Sequence, residues 1–378
     1  MNRRKILVFI DWYLPGFKAG GPIRSCANMV AHLSREYDFF IVTRDTDYMD
    51  STSYPDVKKD AWNKLDDGSQ VYYISKENVG KNTFQKIISF VNPDIIYLNG
   101  IFSYRFTILP LKLADKKKIK TIVAVRGMLA PGALAIKAMK KKIFLSYAKL
   151  TGLYEEVIFQ ASSEMEREQT QRLFPSARIL VAPNLPRKGE TGISERIAKN
   201  SGEVRLLNIG RIAPEKNLLF ALEILKQVKV NVVFDFYGPV YDNAYWKKCK
   251  NEIRKLPSNV KANYRGIAEG KFLSSLLVGY HFLFLPSRGE NFGHIILESL
   301  SAGLPVIISS NTPWKALISK NGGWDISLDD SQGFVEAIEK CGVIGEDEYK
   351  ILSAGARQIA EVYVKDEEKI NATRQLFS

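Results

Sequence analysis

The stretch HFLFLPSRGENFGHIILESLSAGLPVIISS, residues 281–310, decides the fold. A short apolar and aromatic run ends near Ser287, and a glycine-containing loop follows. Apolar residues then recur at helical spacing from Phe292, and the helix stops at Gly303-Leu304-Pro305 ahead of a second β-rich run. Strand, loop, helix, strand is the unit of a parallel sheet. Glu290 stands in the loop just before the helix, and Glu298 follows eight residues later on the helix itself.

Outward from this stretch the same alternation fills the chain. VRLLNIG (204–210), NVVFDFYG (231–238) and VKANYRG (260–266) read as further strands of the second half. KILVFID, DFFIVTRD, QVYYIS, DIIYLNG, TIVAVRG and EVIFQAS read as strands of the first. The text between them turns rich in Pro, Gly and Asn at VAPNLPRKGETG (181–192), which marks a linker. The expected organisation is two Rossmann-like domains, 1–183 and 186–360, with a C-terminal helix at 361–378 whose docking side the sequence leaves open.

Composition agrees with an ordinary globular chain: 378 residues, 46% hydrophobic and 25% charged, excluding disordered, collagenous and disulfide-scaffold classes. Cys26, Cys249 and Cys341 form no C-x-x-C pair and leave an odd one over, which points to a reducing, cytoplasmic setting. Arg3, Arg4 and Lys5 precede an apolar run that Asp11 interrupts too soon for a secretory signal, and no run approaches the roughly 18 apolar residues of a spanning helix.

The net charge of +13 is local. Residues 101–150 hold twelve Lys and Arg against one acid, Asp115, whereas the rest of the chain carries 42 basic and 40 acidic residues. Within the block, residues 132–150 place Ile136, Met139, Ile143, Phe144, Tyr147 and Leu150 at helical spacing, with Lys137, Lys141, Lys142 and Lys149 mostly opposite and Lys140 among them. The ordinary expectation is an amphipathic helix packed by its apolar stripe. So concentrated a charge also favours an anionic partner, with lipid head groups ahead of nucleic acid because no nucleic-acid-binding motif accompanies it.

Three loops carry the candidate chemistry. In 281–310, the amides of Asn291, Phe292, Gly293 and His294 are the unpaired N–H groups of a helix start. They suit a phosphate or the hydroxyls of a sugar attached to it, while the Glu290 carboxylate can accept from hydroxyls. A glutamate before a helix is also an ordinary dipole-stabilising feature, but its place at the carboxyl end of a strand favours a ligand role. In LLNIGRIAPEKN, Gly210 permits a tight turn, and Arg211 and Lys216 offer two cations suited to a departing diphosphate, unless Glu215 takes one of them in a salt bridge. In DWYLPGFKAGGPIRS, adjacent Gly20 and Gly21 precede a helix and allow close backbone approach, although neither G-x-G-x-x-G nor a Walker sequence is present. Asp45-Thr46-Asp47 has the D-x-D spacing of metal-dependent transferases, but reads better as a strand end and turn.

Together these elements resemble the retaining glycosyltransferases of the two-domain GT-B fold, specifically glycosyltransferase family four, or glycosyl transferases group one. The Gly20-Gly21 loop is similar to the family's N-terminal glycine loop, Gly210, Arg211 and Lys216 to its G-R-x4-K element, and Glu290 to Glu298 to its E-x7-E element. RGMLAPGALAIKAMKKK, from Arg126, is similar to a motif of bacterial polysaccharide-assembly members. The resemblance covers about residues 4–360 and implies an α/β GT-B fold with two Rossmann-like domains facing across an interdomain cleft. It implies a hexosyltransferase-type enzyme passing sugar from a nucleotide-sugar to a saccharide or lipid-linked glycan, as in lipopolysaccharide or capsule assembly, and the basic helix is expected to bring it, as a cytoplasmic protein, to the inner face of the membrane.

Carried over by position, the resemblance gives Arg211 and Lys216 the leaving diphosphate, and Glu290 with the amides of Asn291 to His294 the donor sugar. Glu298 takes the ribose, and Gly20 and Gly21 the phosphates from the other domain. It implies no cofactor and no metal, with retention by front-face attack in which the leaving diphosphate helps take the acceptor proton. Many members have histidine where this chain has Arg126, and some near Asn99; arginine cannot exchange protons at neutral pH, so Arg126 and Asn99 become candidate ligand contacts. The competing readings are a sugar-nucleotide epimerase or phosphorylase on the same fold, and a non-catalytic sugar-nucleotide sensor or assembly scaffold. The sequence leaves the base, sugar, acceptor and oligomeric state open.

Overall fold

The computed structural model describes residues 3–188, 196–268 and 272–378. The chain forms two compact units, residues 1–188 with 366–378, and residues 189–365. In chain order the first contains β1 (Lys5–Phe9), α1 (Gly21–Leu33), β2 (Asp38–Arg44), β3 (Trp62–Lys64), β4 (Gln70–Ile74), α2 (Lys81–Val91) and β5 (Ile95–Asn99). It continues through α3 (Leu109–Lys116), β6 (Lys120–Ala124), α4 (Pro131–Ala135), α5 (Ala138–Leu150), β7 (Val157–Ala161), α6 (Glu164–Leu173) and β8 (Arg178–Val181). Its sheet runs β3-β4-β2-β1-β5-β6-β7-β8, parallel throughout except at the short β3 edge. The order reverses between β1 and β5, so a crevice opens at their carboxyl ends.

The second unit contains β9 (Glu203–Ile209), α7 (Leu218–Leu225), β10 (Asn231–Tyr237), α8 (Asn243–Ile253), β11 (Val260–Tyr264), α9 (Leu273–Leu277) and β12 (Phe282–Leu285). α10 (His294–Ser301), β13 (Val306–Ser309), β14 (Gly323–Ile326), α11 (Ser331–Val343) and α12 (Glu346–Val364) complete it. Its all-parallel sheet runs β11-β10-β9-β12-β13-β14, reversing between β9 and β12. The strands are apolar on both faces because helices cover both: Phe282 and Phe284 of β12 enter one core, Leu283 and Leu285 the other. β1 divides likewise, Leu7 and Phe9 to one side, Ile6 and Val8 to the other.

All eleven strand segments read from the sequence are present, and three short ones, β3, β8 and β14, join them. The units divide at Lys188 and Lys365, a few residues beyond the 183, 186 and 360 read from sequence. Residues 184–188 stay with the first unit because Asn28 Nδ2 donates to Leu185 O (2.8 Å), His32 Nε2 lies 3.0 Å from Pro186 O, and Lys188 Nζ donates to Ala31 O (3.0 Å). The terminal helix α13 (Glu367–Phe377) also returns to the first unit. There Phe377 is fully buried against Tyr37, Phe39 and Tyr97, and Arg374 grips Glu36.

The basic block departs from its expectation. The helix over 132–150 breaks at Ile136 and Lys137, the latter at φ 55°, into α4 and α5. The inward face of α5 is Leu145 and Ala148, with Phe144 partly buried and Lys141 over the Phe102 ring at 5.3 Å. The expected apolar stripe points outward instead: Ile136, Met139, Ile143, Tyr147 and Leu150 are all exposed. Both stripes have helical spacing, and periodicity alone does not say which one the sheet receives.

Candidate active site

In the second unit the carboxyl ends of the neighbouring strands β9 and β12 bring two of the sequence motifs together. β9 runs into Gly210, and the turn at Pro214–Lys216 presents Lys216; β12 runs into the loop carrying Glu290. The loop after β12 is tied on both sides by its backbone: Arg288 N donates to Glu215 O (2.9 Å) in the turn after β9, and Glu290 N to Asn311 O (3.0 Å) after β13. Ser309 Oγ donates to Ser287 O (2.5 Å), and Asn311 Nδ2 to Arg288 O (3.2 Å). Held this way, Lys216 Nζ lies 2.5 Å from Glu290 Oε1, with the side chains only 18% and 11% exposed.

Glycine makes that arrangement possible at two positions. A Cβ on Gly210 would come within 3.3 Å of Lys216 Cγ and Cδ, so the missing side chain leaves the lysine stem its path. Gly238, at φ 151° after β10, crosses Gly210 so closely that a Cβ there would lie 1.8 Å from the Gly210 carbonyl oxygen. No other residue allows both the conformation and the approach.

Arg211 does not join the pair. Its guanidinium takes Glu215 Oε1 at 3.1 Å and stacks over the Tyr241 ring at 5.3 Å, the salt bridge the sequence left open. Gly293, the N-cap of α10, stands at φ 79° and, having no side chain, supplies no cap of its own. Phe292 is a core residue, buried against Trp314 and Tyr363, and its carbonyl accepts from Trp314 Nε1 (2.7 Å). His294 is buried beside the Phe292 ring at 4.7 Å, Asn291 is half-buried in the loop, and Glu298 is half-buried one turn along α10.

The remaining candidates lie in the first unit. Gly20, at φ 80°, immediately precedes α1, whose first residue is Gly21. Asn99 ends β5 and Arg126 follows β6; Arg126 Nε donates to Asn99 Oδ1 (2.8 Å), Nη1 to Asn184 Oδ1 (2.6 Å) and Nη2 to the Tyr97 hydroxyl (2.8 Å). Sequence reading missed Tyr97 and Asn184: one looks like any core strand residue, the other like any linker asparagine. Asp45 and Asp47 are buried turn builders, taken by Ser53 Oγ (2.6 Å) and by the amides of Phe17 (3.0 Å), Lys18 (3.2 Å) and Tyr48 (2.7 Å). His281 is likewise structural: its Nδ1 accepts from Arg205 N (3.0 Å), and burial pulls its pKa down to about 4.

Comparisons with known proteins agree with the fold. Residues 190–357 match the profile of Glycosyl transferases group 1. An uncharacterized 41.2 kDa protein in the cps region of Klebsiella pneumoniae is 22% identical over 302 residues, 77% of this chain and 80% of that protein. Anabaena Alr3699/HepE, solved with UDP and glucose, superposes with a TM-score of 0.70 at 14% identity, covering 99% of this chain and 98% of that one. WaaG, a glycosyltransferase involved in lipopolysaccharide biosynthesis, superposes with a TM-score of 0.61 at 14% identity over 98% and 99% of the two chains. Residues 190–357, which hold Gly210, Lys216, Glu290 and Glu298, are thus a Glycosyl transferases group 1 domain, and the chain as a whole has the GT-B fold.

Proposed function

We propose that this chain is a retaining, metal-independent glycosyltransferase that moves a hexose from a nucleotide-sugar to a saccharide or lipid-linked glycan in cell-surface polysaccharide assembly. The observation that carries the reading is the Lys216–Glu290 pair, 2.5 Å apart at the switch point of the second sheet and inside the matched domain. An ammonium there faces the charge that develops on a leaving diphosphate, and a carboxylate beside it accepts from sugar hydroxyls. The start of α10 adds amide donors, Glu298 takes the ribose, and Arg211 reaches the diphosphate by exchanging Glu215 for it. Retention follows from front-face departure and attack, the diphosphate itself helping to take the acceptor proton, so positioning and charge stabilisation carry the catalysis. That polysaccharide assembly is the setting is supported by the cps-region relative and by WaaG.

The enzyme works at the inner face of the membrane through α5. Met139, Ile143, Tyr147 and Leu150 form one outward stripe, and at about 100° per residue Lys142 and Lys149 flank it on one side and Lys140 on the other. Lys137 stands at the helix start. An apolar ridge between lysines is the pattern of a helix lying in an anionic lipid surface. Among the described residues no helix is long and apolar enough to cross a membrane.

The test is transfer from a panel of nucleotide-sugars to glycolipid extracts, with the anomeric configuration of the product read by proton NMR. An α-linked product from an α-linked donor is expected. A β-linked product overturns retention, and hydrolysis or epimerisation without transfer overturns the enzyme class.

A further inference from the structure

Arg126 is built unlike an ordinary surface arginine. It stands at φ 55° with Gly127 at φ 72°, a left-handed pair that an arginine adopts only when its surroundings impose it. They do so thoroughly. Gly127 N donates to the buried Glu166, whose other oxygen takes Ser162 N (2.6 Å) and Ser162 Oγ (2.8 Å). Gly100 N donates to Ala124 O (3.0 Å), locking the loop after β5 onto β6.

The guanidinium itself is held by neutral acceptors alone: Asn99, Asn184 and the Tyr97 hydroxyl, which in turn donates to Gln160 Oε1 at 2.5 Å. Among the described residues no carboxylate pairs with it, and two of its five N–H groups stay without a partner. Asn99 is 95% buried, and with its Oδ1 fixed by Arg126 its Nδ2 is buried with no acceptor among the described residues. A buried amide left without a partner is unfavourable, and a ligand that supplies one relieves it. A permanently charged, oriented cation beside an unsatisfied donor, at the carboxyl ends of β5 and β6, is complementary to an oxyanion.

We propose that Arg126 and Asn99 seat an anionic group of the acceptor, either the phosphate of a carrier lipid or the carboxylate of an acidic sugar. This rests on the reading that the first unit takes the acceptor. Arg126 fixes the register of the acceptor by a forked contact, with no proton transferred, and thereby selects acidic over neutral acceptors.

The test uses the full chain carrying Arg211→Ala and Lys216→Ala, so that the two cations assigned to the leaving diphosphate contribute nothing, with calorimetric titration of three probes. Inorganic phosphate stands for the carrier-lipid source, methyl β-D-glucuronide for the acidic sugar, and methyl β-D-glucoside is its neutral counterpart. One of the two anions is expected to bind at least about tenfold more tightly than the neutral glycoside, and Arg126→Gln to abolish that preference. Which anion binds identifies the source. If Arg126→Gln unfolds, Asn99→Ala takes its place and is expected to weaken the same anion. Absence of binding by both anions, or a preference that survives these substitutions, overturns the proposal. Failure of the donor reading is seen separately, as nucleotide-sugar binding that persists without Arg211 and Lys216.

Discussion

Lys216 Nζ and Glu290 Oε1 lie 2.5 Å apart although the residues are 74 positions apart in sequence. Loops of two adjacent parallel strands, tied by the Arg288–Glu215 backbone bond, bring them together. In the proposed enzyme, Lys216→Met and Glu290→Gln each lower the transfer rate about 100-fold or more. The double variant falls no further than the worse single one, because the two side chains act as a unit. Steady-state kinetics on the three variants checks this, and additive losses would show two independent roles.

Gly238→Ala is expected to destabilise the protein by more than about 2 kcal/mol, since its Cβ would meet the Gly210 carbonyl. Gly202→Ala is the matched comparison: it shares a positive φ, 97°, but meets open space, and is expected to cost about 1 kcal/mol. Urea unfolding of both variants separates crowding from backbone strain.

The outward stripe of α5 makes a prediction about vesicles. Met139→Gln with Ile143→Gln and Leu150→Gln is expected to leave the melting temperature within a few degrees, because those side chains are exposed, yet to weaken co-flotation with anionic vesicles by at least about tenfold. Replacing Lys140, Lys142 and Lys149 with Gln weakens the same binding and removes its dependence on salt and lipid charge. Unchanged flotation in both variants would contradict a lipid-facing role.

His281 gives the fold an acid-sensitive element. Burial lowers its pKa from 6.5 to about 4, so the folded protein keeps it neutral while the unfolded chain takes up a proton between those values. Its contribution is complete above about pH 6.5 and is lost as pH falls toward 4. Between pH 7 and pH 5 the loss is on the order of 2 kcal/mol. His32 is lowered by burial too and acts in the same direction in the first unit. Urea midpoints at the two pH values, for the wild type and His281→Gln, are expected to show a smaller pH dependence in the variant.

Much of this was legible in the residues because a strand covered on both faces must be apolar throughout, as KILVF and FLFL are, and the helices between such strands force a parallel sheet. The strands that escaped reading are too short to carry a pattern: WNK has three residues, and GWDI opens on the second of two adjacent glycines. The convergence of Lys216 on Glu290 follows from strand order, which motif spacing alone does not contain. Arg126 could be singled out from its neighbours in sequence, but its cage could not, since Tyr97, Gln160 and Asn184 carry no signal until β5, β7 and the tail after β8 are laid side by side. The facing of α5 was misread because the helix has two candidate stripes, and Leu145, Phe144 and Ala148 won the core.

The central claim, a nucleotide-sugar site in the second unit, is tested most directly by calorimetric titration with UDP, GDP, ADP, CMP and their common sugars, on the wild type and on Glu298→Gln. One nucleotide series is expected to bind, and its affinity to fall about tenfold or more in the variant. Binding by no member, with and without anionic vesicles, or binding indifferent to Glu298→Gln, would contradict the account.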